Sequence, residues 1–118
     1  MDQAKVNREK KLRRAILSLA ENAKAGGGID GDWLASLLED HALVSQAQRA
    51  DAFFDLEKFI HGLCMDLVNL GLLTMQDTRA KKNQPLDAAH QLYNITAKGT
   101  GLLAGVEPKC PLVEDERI

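Results

Sequence analysis

The sequence predicts a mainly α-helical domain closed by one small β-hairpin, an α+β fold. Apolar residues recur at helical spacing through three segments of the first seventy residues. Two short stretches with strand-like alternation then flank a polar, proline-containing loop. Glycines at 26 to 28 and at 71 fall where those patterns stop. The 118 residues suffice for one hydrophobic core and not for two.

The first helix runs from about Ala4 to Lys24, with Leu12, Ile16, Leu19, Ala20 and Ala23 forming the apolar stripe of its second half. Residues 1 to 9 are its basic extension, and Gly26-Gly27-Gly28 ends it. Ile29 stands alone as a candidate short strand before Asp30 or Asp32, either of which can cap a second helix of about Asp32 to His41. Trp33, Leu34, Leu37, Leu38 and Ala42 supply its expected buried face. Ser45-Gln46-Ala47-Gln48 fits a capping box, so a third helix is expected to begin there or at Asp51 and to end at Gly71. With each residue turned by about 100°, Phe53, Leu56, Ile60, Leu63, Leu67 and Leu70 share one face of it.

LLTMQDT and QLYNIT read as the paired strands, Tyr93 and Ile95 pointing to one side and Leu92 and Asn94 to the other. Thr96 is the expected N-cap of a last short helix, and residues 106 to 118 form a proline-broken acidic tail. In that last helix Gly99 and Gly101 are expected to let it pass close to the first helix, and Leu102 and Leu103 to complete the core.

Composition narrows the function classes. The 45% apolar and 27% charged residues are those of an ordinary globular protein. The apolar runs are too short to span a membrane, and MDQAKVNREKKLRRA lacks the apolar core of a secretory signal, so a cytoplasmic protein is expected. Cys64 and Cys110 read as a buried thiol and a tail thiol; His41, His61 and His90 are widely spread, and neither a metal site nor a cofactor is expected. No nucleophile and base share a convincing local context, and His61 beside Cys64 reads as a core thiol with a histidine neighbour, so no catalysis is expected. YNITAKGTGLLAG holds phosphate-loop residue types, yet Lys98-Gly99-Thr100-Gly101 is in the wrong order for a P-loop.

"LVNLGLLTMQ" and "LYNITAKGTGLL" resemble the winged helix-turn-helix family at its junction from third helix to first wing strand and at its exit from the second wing strand into a terminal helix. The resemblance covers residues from about 10 to 105. It implies the order helix, lone strand, helix, helix, strand, wing, strand, helix. "ITAKGTGLLAGVEPKCP" is also similar to small winged-helix proteins of Mu-like phages and prophages, from which this chain departs in its longer third-helix region and in lacking a basic tail.

What the resemblance implies is a small regulator that binds double-stranded DNA, its third helix entering the major groove and its wing lying along the backbone. The residues available are Ser45, Gln46, Gln48 and Arg49 near the start of that helix, with Arg79, Lys81, Lys82 and Asn83 in the wing. Charge complicates the picture. From Ser45 to Gly71 the acids Asp51, Asp55, Glu57 and Asp66 outnumber Arg49 and Lys58, which repels phosphate. Residues 1 to 24 carry seven Lys or Arg against three acids, so any DNA surface is expected to be local, made by the first helix and the wing. The second reading is a protein-interaction or assembly module. Phe54, His61 and Met65 lie opposite the third helix's buried stripe, where they either form a homodimer contact or are covered by the rest of the fold.

Overall fold

The computed structural model describes residues 2–116; Met1, which begins the expected basic extension, and Arg117 and Ile118, which end the expected tail, lie outside them. Helix α1 spans Gln3–Ala23 and starts where the Asp2 carboxylate accepts the Ala4 and Lys5 amides. Leu12, Ile16, Leu17 and Ala20 are fully buried along one side of it. A single 3-10 turn, Lys24–Gly26, follows, and Gly27 and Gly28 take φ of 95° and 118°. Gly28 is needed twice over, because a Cβ there would also lie 2.7 Å from the Tyr93 carbonyl oxygen.

Strand β1, Ile29–Asp30, leads directly into helix α2, Gly31–Leu38, capped by Asp30 on the Trp33 amide at 2.7 Å. Its buried face is Leu34, Ala35 and Leu38. Trp33 and Leu37, expected in the core, are instead 57% and 45% exposed. The stripe through Leu34 and Leu38 sits one residue further along, so Trp33 and Leu37 are each turned about 100° away from it.

The expected single third helix is two helices. Helix α3, Ala42–Ala50, begins where His41 Nδ1 accepts the Leu43 amide, so Ser45 lies inside the helix and is not its cap. Helix α4, Leu56–Asn69, begins at Asp55, whose carboxylate accepts the Lys58 amide. Between them Asp51 is extended and accepts the Phe53 amide at 2.9 Å. Two aspartates four residues apart each offer the backbone a local partner in place of a helical one, which breaks the run. Phe53 therefore leaves the expected stripe and is 93% exposed, while Ile60, Leu63 and Leu67 remain in the core.

After Gly71 the chain forms β2, Leu73–Asp77, and β3, Gln91–Ile95, paired antiparallel with Leu73 opposite Ile95 and Asp77 opposite Gln91. A 3-10 turn at Ala88–His90 leads into β3. β1 joins the other edge of β3, giving a three-stranded antiparallel sheet of order β1-β3-β2. Gln91, Tyr93 and Ile95 point inward as period-two alternation requires. Thr96 caps helix α5, Ala97–Leu103, accepting the Gly99 amide and donating its hydroxyl to the Gly71 carbonyl at 2.7 Å.

Gly99 does allow a close approach, but to the sheet and not to α1. A Cβ there would run into the Leu72 carbonyl oxygen and lie 2.7 Å from Ile95 Cγ1. Gly101 faces the Glu107 side chain. The link from α5 to α1 is made by Thr100, which donates to Glu21 at 2.7 Å, while Leu102 is buried and Leu103 half-buried. The architecture is thus α+β, with five α-helices and one small sheet among the described residues.

The segment after Gly105 turns back over α1. Val113 is 2% exposed and belongs to the core. The Glu114 amide donates to the Lys10 carbonyl, and the Leu112 carbonyl accepts from Arg13 Nη1 at 3.0 Å.

Candidate nucleic-acid interface

The loop between β2 and β3 is built around one carboxylate. Asp77 Oδ1 accepts the Arg79 amide and Nε, both at 3.0 Å, while Oδ2 accepts Arg79 Nη2 at 2.6 Å and Lys82 Nζ at 3.0 Å. Arg79 Nη1 then donates to the carbonyls of Gln84 and Lys82. The Arg79 guanidinium holds the Asp77 carboxyl well below the usual carboxylate range, and Asp77 raises Arg79 in return. Arg79, expected as a DNA contact, is consequently a staple that folds the loop on itself. Lys81 and Asn83 are carried on the outside of that fold and are exposed; Lys82 is exposed as well, but its ammonium is part of the staple on Asp77. Thr78 fastens the base of the loop by two hydrogen bonds to the His90 carbonyl.

The other expected contact residues lie on α3, where Gln46, Gln48 and Arg49 are exposed and Ser45 is half-buried. They do not share an element with the hairpin. The helix that runs into β2 is α4, whose exposed residues are Glu57, Lys58, Gly62 and Asn69. Of the four acids in this region, Asp51 and Asp55 are spent on backbone amides, and Asp66 accepts Arg13 Nη2 at 2.9 Å. Lys98 Nζ donates to the Leu70 carbonyl at the end of α4, capping that helix where cations are favoured.

The three residues expected to form a partner contact are separated. Phe54 sits in the link before α4, half-buried, its ring 5.2 Å from that of Phe59 at an angle of 52°. His61 turns toward the sheet: its Nδ1 lies 3.0 Å from Gln91 Oε1 and 3.2 Å from Tyr93 Oη, and the Tyr93 hydroxyl donates to Gln91. Met65 is half-buried. Burial pushes the Cys64 thiol up to about 12 and raises Tyr93 as well, so both stay neutral inside this polar cluster at ordinary pH. Among the large apolar side chains that do stand outward are Trp33, Leu37 and Phe53, which the periodicity had placed in the core.

On the opposite end of the charge distribution, α1 carries Lys5, Arg8, Lys11 and Arg14 at every third position. Lys5 and Arg8 line a cleft with Ala47 and Ala50 of α3, and Lys11 and Arg14 line another with His41 and Leu43 at the start of α3. No group of three or more His, Cys, Asp or Glu able to hold a metal ion occurs among the described residues, and no helix there is long and apolar enough to cross a membrane. No protein-family model, curated protein or solved structure matches the chain.

Proposed function

We propose that the chain is a winged helix-turn-helix domain that binds double-stranded DNA, a small transcriptional regulator of phage or prophage type. The observation that carries this reading is the wing: a loop folded around Asp77 and Arg79 that holds Lys81 and Asn83 outward, with Lys82 exposed along its stem and its ammonium resting on Asp77. A preformed loop presents cations to phosphate at a lower entropic cost than a mobile one. The sheet order β1-β3-β2 and the direct passage of α4 into β2 support the fold. The pairing of Asp66 with Arg13 supports it too, by removing one of the acids that argued against DNA near α4. The regulatory role and phage origin rest on the likeness of residues 95 to 111 alone.

Duplex binding is expected at low salt and should weaken steeply as salt rises. Lys81→Ala/Lys82→Ala should reduce affinity by roughly tenfold or more and flatten the salt slope by about two units. Absence of binding to any duplex at low salt overturns the reading.

A protein-interaction module is the second reading, favoured by Trp33 and Leu37, one turn apart and exposed on α2, together with Phe53 at 93% exposure. On that reading a second copy covers the α2 ridge, and Trp33→Asp converts a dimer to a monomer in light scattering. A wild-type chain of monomeric mass removes it.

A further inference from the structure

We infer that residues 112 to 116 are an acidic strap occupying a second phosphate-binding surface, the basic face of α1, and that duplex DNA displaces it. This rests on the duplex-binding reading. The strap follows the cations of α1 position by position. Arg13 donates to the Leu112 carbonyl, Arg14 Nη1 donates to the Glu114 carbonyl at 3.2 Å, and Arg14 Nε meets the Glu116 carboxylate at 3.1 Å. Glu114 and Glu116 line the same cleft, of about 410 Å³, as Lys11 and Arg14. A carboxylate and two carbonyl oxygens on neighbouring arginines present the chemistry a phosphodiester offers, namely oxygen acceptors with a negative charge on a continuous chain.

The row extends past the strap. At the α1–α3 cleft further toward the N-terminus, Arg8 Nε is buried and has no hydrogen-bond partner among the described residues. The surface therefore holds more donor capacity than the strap uses. The outer part of the strap is also the part that releases most readily. Glu116 is 67% exposed on its side chain, so its bond to Arg14 is a surface pair of small net worth, whereas Val113 is anchored in the core. The strap can peel from Glu116 back to Val113 without opening the fold.

The test compares duplex binding by the wild-type chain, Glu114→Gln/Glu116→Gln, and a charge-matched control, Glu39→Gln/Asp40→Asn, on exposed positions at the end of α2. The strap variant should bind roughly tenfold tighter and with a salt slope steeper by about one unit, because an added phosphate contact releases an added counterion. The control should shift affinity less and leave the slope unchanged. Wild-type and strap variant binding with equal affinity and slope, or a control that matches the strap variant, overturns the inference and leaves the duplex reading standing. Silence from all three chains overturns both.

Discussion

The β2–β3 loop that we propose is a wing, residues 78 to 90, and the strap, residues 112 to 116, are both polar and nearly free of regular structure, yet they treat their charges in opposite ways. Asp77, at the base of the wing, is satisfied by Arg79 and by the Lys82 ammonium, which leaves Lys81 facing out and only the stem of Lys82 exposed. The strap spends its carbonyls on Arg13, whose charge Asp66 already meets, and on Arg14, and with Glu116 it covers Arg14 at the surface of α1. The numbers of cations alone would rank α1 above the wing as a phosphate-binding element. What decides availability is where each cation's partner lies: within five residues of Arg79, but about a hundred residues from Arg14. A short-range pair shapes a loop, whereas a long-range pair ties two elements together and hides the charge.

Breaking the strap at its anchor should give the largest effect. Val113→Asp puts an unpaired carboxylate into an apolar site and should cost at least about 3 kcal/mol in denaturant unfolding. A loss below about 1 kcal/mol would mean the strap is not docked. Breaking the wing should cost less and stay local. Asp77→Asn should raise amide exchange at Thr78, Arg79 and Gln84 while leaving α1 amides protected. The pH dependence has a definite sign: the folded carboxyl lies below its ordinary value of 3.8, so its contribution is complete above that pH and lost as pH falls through the folded value. Wild-type wing protection should accordingly hold from neutrality to about pH 4 and fall only in stronger acid, while the variant shows no such step. The smallest effect on stability belongs to Glu114→Gln/Glu116→Gln, expected within about 0.5 kcal/mol of wild type because an exposed ion pair contributes little. A large loss there would make these glutamates structural.

Local chemistry made much of this fold legible. The hairpin was readable because alternation sets which side chains face the core, and Tyr93 and Ile95 do so. Thr96 was readable as a cap because threonine directly after a strand and before a new apolar helix favours that role, and Gly71 because it ends an apolar stripe. What failed depended on partners distant in sequence or on which of two neighbouring stripes won. Phe53 fits a helical period with Leu56 and Ile60, but Asp51 and Asp55 break the backbone between the helices and turn it out. Trp33 and Leu37 are apolar, yet the stripe through Leu34 and Leu38 is the one that meets α4. At the candidate site, Lys81, Lys82 and Asn83 were legible as exposed loop residues, whereas the inward turn of Arg79 was not. An aspartate two residues before an arginine was its only signal. The docking of the strap left no local trace, since Leu112 and Val113 form only a short apolar pair before an acidic run and just the second of them is buried.

Duplex affinity measured across a series of salt concentrations, for the wild-type chain and for Lys81→Ala/Lys82→Ala, bears most directly on the wing as a DNA-binding element. The expected result is wild-type binding with a steep negative slope of log affinity on log salt, and a variant slope shallower by about two units with the fold intact. Identical slopes for the two chains, or no binding by the wild type at low salt, would contradict it.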